Sequence, residues 1–448
     1  MNRRTFLGAA SLGAVGASLS GSRADAKGGS AVADVIREQP RDVPVVQTCD
    51  VCVLGGSCTG VFAAVRAAQL GAKVALVEKQ SAFGGVATMA LVNIWHKLVG
   101  NKKRQPIIGG LTKLMIDRLD KLGGVTGRKG GNFRINTQEL KIELDRLVLQ
   151  NKVTPYLHTF YAAPLMDGNR VKAVFIENKN GRQAIVAQTY VDATGDGDLA
   201  KDVGLPFEVR KGLQPPTTCA HVLGLSAGAM ALALKHREEF ALAMDHGWSS
   251  TVPGSKGVRM AAFLHVFNTN AADATQLTAG EIEGRRKVRA YMDAVRKYGD
   301  QKTKPCLLNL GMLGIRETRS FKANTTLTGA DVVSCKRFDD AIANGTYPVD
   351  VHDPKTGRFH FTRIKGDFYQ IPLSALVSDK APNVVLAGRS VSADRSAFGG
   401  IRVMVNLNQT GEAAGVTAAT AAASKTPVAN VPPATVRKRL ADLGAIIV

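Results

Sequence analysis

Beyond the first forty residues, apolar positions concentrate at residues 50–60. There Asp50 leads into Val51, Cys52, Val53 and Leu54, and the run breaks on Gly55, Gly56 and Gly60. A small-residue segment follows at 61–69, and a second apolar run at 72–78 ends on Glu78. That order predicts strand, glycine turn, helix, strand. From 137 to 150, Leu140, Ile142, Leu144, Leu147 and Leu149 alternate with charges, which predicts an amphipathic helix with Thr137 as a possible N-cap. Between 153 and 191 the period shortens, and Asp167-Gly168 and Asn180-Gly181 mark turns, so a small antiparallel meander is expected. It runs into Asp192, Ala193, Thr194, Gly195, Asp196, Gly197 and Asp198, another strand entering a glycine–acid turn. Thr278-Ala279-Gly280-Glu281 reads as a capping box opening a helix through about Tyr298. Residues 384–389 form the last strong strand, 396–400 are small and glycine-rich, and 405–423 form a long small-residue helix in which Gly411 and Gly415 permit close packing. A linker and a short amphipathic helix follow Pro427.

Composition narrows the picture at one point. The chain has 448 residues, enough for two or three domains, with an ordinary apolar content but a formal net charge of +21. Such a balance suggests nucleic acid, an anionic membrane surface or acidic small molecules, with plain solubility as the unremarkable alternative. The start of the chain argues against nucleic acid. Residues 1–26 read as a twin-arginine export signal: Arg3 and Arg4, an apolar run from Phe6 to about Leu19, and Ala24-Asp25-Ala26 as a small-x-small cleavage site. The run is short and glycine-rich for a spanning helix, which needs about 20 apolar residues. No other stretch suits a bilayer, so a soluble mature protein in the periplasm is expected, handed over by the twin-arginine machinery. The six cysteines make no disulfide framework at this length, and none stands in a metal-ligand spacing with histidine. Cys52, in a strand pattern, is expected as a buried thiol. Basic residues cluster in a loop-rich stretch at Lys102, Lys103, Arg104, Arg128 and Lys129.

The first strand–turn–helix–strand unit carries the chemistry. A pyrophosphate must approach the backbone closely and sit on a helix N-terminus, where free N–H groups and the dipole favour anions. Glycines allow that approach, and an acid at the end of the second strand accepts hydrogen bonds from a ribose. Gly55, Gly56, Ser57, Cys58, Thr59, Gly60 and Glu78 fit this pattern, with Ser57 where a second glycine usually stands. Paired glycines return at Gly84-Gly85, with Trp95 and His96 just beyond. Gly314 to Arg319 packs Arg316 and Arg319 around Glu317, either as a local ion-pair turn or as donors to an anionic or carbonyl substrate.

Taken in order, these pieces resemble the FAD-dependent oxidoreductases of glutathione-reductase-like fold, over about residues 50–423. The resemblance implies an α/β Rossmann-type FAD-binding domain, a parallel sheet with helices plus the meander, with an inserted substrate or cap domain. The expected division is 27–47 linker, 48–204 and 378–425 the two parts of the FAD domain, 205–377 the cap, and 426–448 a tail. It implies that Gly55 to Gly60 cradle pyrophosphate, that Glu78 with its neighbour Lys79 takes the ribose end, and that Gly85 and Thr88 lie along the flavin. Gly195 and Asp196 would approach the cofactor, and Arg389, Gly399, Gly400 and Arg402 would frame the ring. Relatives often carry a histidine where this chain has Asp394-Arg395-Ser396. The implied activity is hydride transfer on a small organic substrate, with His96, His265, Arg316, Glu317 and Arg319 on the substrate side and His96, His265 or Glu317 as the proton donor or acceptor. No second nucleotide turn is evident, so electrons are expected to pass to a quinone, oxygen or a redox protein. The alternatives are a flavin monooxygenase, a flavin-binding subunit of a membrane respiratory complex and, least favoured, a nucleic-acid binder.

Overall fold

The computed structural model describes residues 38–127, 131–245, 247–299 and 304–448. The expected export signal at 1–26, most of the linker, and Arg128 and Lys129 of the basic loop lie outside the described residues.

The apolar run of the first unit becomes the strand Val45–Leu54. It pairs in parallel with Val74–Val77 on one side and Gly181–Asp192 on the other. Val74–Val77 pairs in turn with Thr154–Tyr156, and Gly181–Asp192 with Val384–Leu386, again in parallel. The five strands form an open parallel sheet with the first strand at its centre. The expected meander is present as Phe160–Asp167, Arg170–Asn178 and Gly181–Asp192, turning at Gly168-Asn169 and Lys179-Asn180, each one residue off the expected dipeptide. It belongs to the same sheet. The N-terminal half of its last strand pairs with the hairpin, and the C-terminal half enters the parallel core. The first strand begins before the expected boundary at residue 48, because Val45 and Gln47 pair with Ala184 and Ile185.

Helix Cys58–Gln69 leaves the glycine turn and is covered by helix Met404–Ser424. The contact is made by small residues. A Cβ on Gly411 would stand 2.1 Å from the Thr59 carbonyl oxygen, and one on Gly415 2.0 Å from that of Ala63. The second helix is buried on all sides from Val405 to Ala422, so its polar groups need partners. Thr417 and Thr420 donate to the carbonyls of Ala413 and Val416 at 2.8 and 2.6 Å. Glu412 meets Arg66 of the first helix at 2.5 Å, with both side chains almost fully enclosed. Its carboxylate also accepts from the backbone of Leu111 at the start of helix Gly110–Lys121. One buried pair thus joins three helices.

Two helix starts differ from expectation. Asn136, not Thr137, caps Thr137–Gln150, accepting from Gln138 and Glu139. Helix Ala274–Tyr298 begins a turn before the supposed capping box, on Asp273. Thr278 is inside the helix and donates to the Ala274 carbonyl at 2.8 Å. The box pattern was satisfied by chance, because an aspartate one turn earlier competes for the same role.

Residues 217–314 build a four-stranded antiparallel sheet in the order Trp248–Thr251, Val258–His265, Thr217–Leu223, Cys306–Gly314. Helix Ala274–Tyr298 packs on it through Val288, Tyr291, Met292 and Val295. The strands Ala341–Gly345 and Tyr369–Pro372 instead share an apolar cluster with Val51, Phe62 and Val416 of the parallel-sheet core. Residues 43–448 are one compact unit. No helix among the described residues is long and apolar enough to cross a membrane.

Candidate active site

A cavity of about 970 Å³ opens where the parallel strands end. That is at the upper end of the range for ligand sites, roughly 300–1,000 Å³, and the carboxyl end of a doubly wound sheet is where a ligand belongs. Its walls carry residues that directly follow each of the central strands: Gly55, Ser57, Cys58 and Thr59 after the first; Glu78 and Lys79 after the second; Thr194, Gly195 and Asp196 after the meander; Gly388 and Arg389 after the last. The antiparallel sheet closes the other side with Thr217, Cys219, Trp248 and Ala262.

The turn at the nucleotide end is bare at its closest backbone approaches. Gly55 has φ +96°, and a Cβ there would lie 2.2 Å from the Ala193 carbonyl oxygen. Gly60 touches the turn from the helix, its hypothetical Cβ 1.8 Å from the Gly55 oxygen. Ser57 caps the helix, its hydroxyl oxygen accepting from the Gly60 N–H at 3.5 Å. Glu78 is buried, its two oxygens accepting from the N–H groups of Gly56 at 2.6 Å and Gln80 at 2.8 Å. Burial pushes the pKa of this carboxyl above the ordinary glutamate value, and the two N–H bonds oppose the rise. Gly195 lets the chain pass beside Arg389, whose Nη2 donates to Asp196 at 2.9 Å.

At the opposite end the first turn of helix Met404–Ser424 reaches the cavity at Val403 and Met404, and Val403 provides no capping side chain. Its leading N–H groups have no partner within the helix, and the dipole favours negative charge there. Arg316, Tyr347, Asp350, His352, Arg402 and His96 gather close by. Arg402 donates to Asp350 at 3.0 Å, and Tyr347 donates to the same carboxylate at 2.8 Å. Burial would raise the Asp350 carboxyl, but His352 and Arg402 outweigh it and hold it down at about 2. Among the described residues Arg316 is bonded only by neutral oxygens, the Pro215 carbonyl at 2.6 Å and the Thr217 hydroxyl at 2.7 Å. Burial, with the Arg402 charge adding to it, pulls Arg316 down to about 10. His96 lies against Tyr347 with ring centroids 4.2 Å apart, and burial brings it down to about 4.

Several expected site residues do not reach the cavity. Glu317 is bound by Arg210 at 2.8 Å and by the backbone of Gln214. Arg319 turns to Asp198 and the Asp196 carbonyl. Alternate residues of an extended segment face opposite ways, so only Arg316 of this trio points into the site. His265 stands one layer behind His352. Gly56 and Gly60 shape the turn from outside. Thr88 is fully buried and donates to the Phe83 carbonyl. Gly399 and Gly400 lie inside helix Arg395–Ile401, not at its start, and their bareness serves packing. A Cβ on Gly399 would meet the Asp350 carbonyl at 2.8 Å, and one on Gly400 would meet Val332 at 3.2 Å. Asp394 caps that helix.

Asp350, His352 and Tyr347 were missed as site residues. The signal was available: Asp350 and His352 are two apart in the alternating stretch Val349–His352, which puts both on one face of a strand.

This site meets what an FAD needs: a bare backbone cradle at a helix N-terminus, a buried carboxylate for the ribose, a long cavity, and a second helix N-terminus at its far end. A family model described as "FAD dependent oxidoreductase" matches residues 50–440. The chain belongs to that family; it is an oxidoreductase that uses FAD. Among curated proteins, dihydrolipoyl dehydrogenase of Trypanosoma brucei brucei is 28% identical over 208 residues, 43% of this chain. The match spans only 37% of that relative's length. Similar solved structures include a geranylgeranyl bacteriochlorophyll reductase-like protein of Thermoplasma acidophilum, 14% identical with a TM-score of 0.46 over 89% of this chain and 83% of that one. Another is the p-nitrophenol 4-monooxygenase PnpA of Pseudomonas putida DLL-E4, 10% identical with a TM-score of 0.45 over 89% and 84%.

Proposed function

We propose that this chain is an exported flavoprotein of glutathione-reductase-like build that oxidises or reduces a small anionic organic substrate in the periplasm. Its electrons pass to or from a quinone, oxygen or a redox protein. Gly55, Ser57, Cys58 and Thr59 would hold the FAD pyrophosphate and Glu78 the ribose. Gly85, Gly195 and Arg389 would flank its length, and the first turn of helix Met404–Ser424 its ring. Bound FAD supplies the hydride chemistry.

The single observation that carries the substrate class is Arg316. It is a guanidinium at the cavity wall with two neutral oxygen partners, and among the described residues no carboxylate pairs with it. A half-buried cation without a counter-charge still carries a desolvation cost, and a substrate carboxylate or other anion offsets that cost while forming a charge-assisted bond. Arg402 is different, since Asp350 already neutralises it. Trp248 and Leu277 on the cap side offer apolar walls for the rest of the substrate.

The test is anaerobic mixing of the FAD-loaded protein with small organic acids and their neutral amides, following flavin absorbance in both redox directions. The expected result is turnover with an acid and at least tenfold less with its amide, and loss of that preference in Arg316→Gln. Equal rates for acid and amide would refute the anionic assignment.

A further inference from the structure

Behind the cavity wall two histidines touch ring to ring. Asp245, His265 and Asp350 are each 4% exposed or less. His265 ends the strand Val258–His265, and His352 ends Val349–His352. The Asp245 Oδ1 to His265 Nδ1 distance is 2.6 Å, His265 Nε2 to His352 Nδ1 is 3.1 Å, and His352 Nε2 to Asp350 Oδ2 is 3.5 Å. Gly357, with φ +66°, covers the first contact; a Cβ there would stand 2.4 Å from Asp245 Oδ1.

Counting protons gives this chain a direction. It has three contacts, and two neutral imidazoles carry only one N–H each. One contact must therefore lack a proton. Both end contacts meet carboxylates, which accept and cannot donate, and the tight one at 2.6 Å takes the proton while the loose one at 3.5 Å goes without. His265 is then protonated on Nδ1 and accepts on Nε2, so His352 donates from Nδ1. The vacancy falls on His352 Nε2, at the longest contact and at the cavity. One added proton fills all three contacts and is shared between two carboxylates.

We propose that Asp245, His265, His352 and Asp350 form a one-proton relay in which His352 Nε2 is the catalytic atom that takes or returns the substrate proton. His265 and Asp245 are positioning residues. The proposal rests on the reading that the substrate sits against Arg316. In the oxidising direction the substrate C–H breaks and its electron pair leaves as hydride to the bound FAD. The accompanying O–H or N–H proton passes to His352 Nε2, and reduction runs the same transfers backwards. Among the described residues, several charged and titratable groups face the pair. They are Arg316 and Arg402 at the cavity, Tyr347 on Asp350, and Lys287, whose Nζ donates to the His265 carbonyl at 2.6 Å. Burial first, then Arg316 and Arg402, against the opposing pull of Asp350, keep the His352 ring neutral at rest, at about 4. A bound anion at Arg316 offsets one of them and makes the added proton easier to hold.

Asp245→Asn tests this two residues away from the reacting atom. Asp245 Oδ2 accepts from the His265 backbone N–H. The Asn oxygen must keep that bond, which turns its NH₂ toward His265 Nδ1. His265 then moves its proton to Nε2 and donates to His352, whose own proton moves to Nε2. The readout is long-range ¹⁵N–¹H correlation of the imidazoles in FAD-loaded protein without substrate, with His265→Gln and His352→Gln assigning the two rings. In the wild type both rings should be Nδ1–H tautomers near neutral pH. In Asp245→Asn both should be Nε2–H. A wild-type His352 protonated on Nε2, or a folded Asp245→Asn with an unchanged His352 tautomer, overturns the relay. If Asp245→Asn does not fold, the wild-type tautomers decide alone. Turnover should fall roughly 10²–10⁴-fold in His352→Gln while the flavin stays bound; turnover within threefold of the wild type overturns its catalytic role. Since the tautomers are read without substrate, a failed acid–amide preference would leave them untouched and would count against the substrate class alone.

Discussion

Glu78→Gln separates the two tasks assigned to one carboxylate. In the folded chain both oxygens are taken by backbone donors, Gly56 N–H at 2.6 Å and Gln80 N–H at 2.8 Å, while the group still borders the cavity. Glutamine has one acceptor end and one donor end. Whichever way it turns, its NH₂ meets one of those N–H groups head-on. Leaving a buried donor unmet costs about 1–3 kcal/mol. Glutamine needs no burial of charge, and Glu78 does, as its raised pKa records. The net loss therefore belongs near the lower end of that range. On the ligand side a hydroxyl donating to a carboxylate would donate to a neutral amide. Hydrogen bonds to charged groups contribute about 1.5–3 kcal/mol, so losing that charge weakens FAD binding by roughly tenfold to a hundredfold. Urea unfolding of FAD-free protein reads the first term, and fluorescence titration with FAD reads the second. A stability loss with FAD affinity unchanged within threefold would refute the ribose role and leave Glu78 as a turn-forming residue only.

Gly411→Ala should push helix Met404–Ser424 off Thr59, since its Cβ would stand 2.1 Å from a backbone oxygen that cannot move aside. The expected outcome is a loss of at least about 2 kcal/mol by urea unfolding, with weaker FAD retention because Thr59 lines the cavity. Glu412→Gln leaves Arg66 charged and buried, and a loss of about 3–5 kcal/mol is expected by the same measurement. His352 should make the fold acid-sensitive. It is held at about 4 in the folded chain, below the ordinary value of about 6.5. The unfolded chain therefore gains its proton first as pH falls. Stability is full above about pH 6.5 and is lost down to about pH 4, by up to about 3 kcal/mol. Thermal melts of His352→Gln against the wild type across that window should show a shallower decline.

The parallel core was readable because its signals are local and periodic. The apolar run before Gly55, the acid at Glu78 and the turns at Asp167-Gly168 and Asn180-Gly181 each fix their neighbours' conformation through nearest-chain chemistry. The small-residue helix also declared its packing, since Gly411 and Gly415 have no use on an exposed face. The far end of the cavity was less legible, because it is assembled from segments distant in sequence. Arg316, Glu317 and Arg319 look equivalent along the chain, yet Arg210 and Asp198 claim two of them and leave one for the cavity. Nothing near His265 in sequence announces Asp245 or His352. Their meeting depends on how the antiparallel sheet and the strand Val349–His352 come together. Gly399 and Gly400 show the opposite error: a glycine pair suited to a ligand is used here to bring a helix close to the Asp350 backbone.

The most direct measurement of the whole account is a crystal structure of the FAD-loaded protein. Density for the pyrophosphate against the N–H groups between Gly55 and Thr59, for the ribose on Glu78, and for the ring between the first turn of helix Met404–Ser424 and the Arg316–His352 wall is the expected result. A ring placed away from Arg316 and His352, or a ribose out of reach of Glu78, would contradict it.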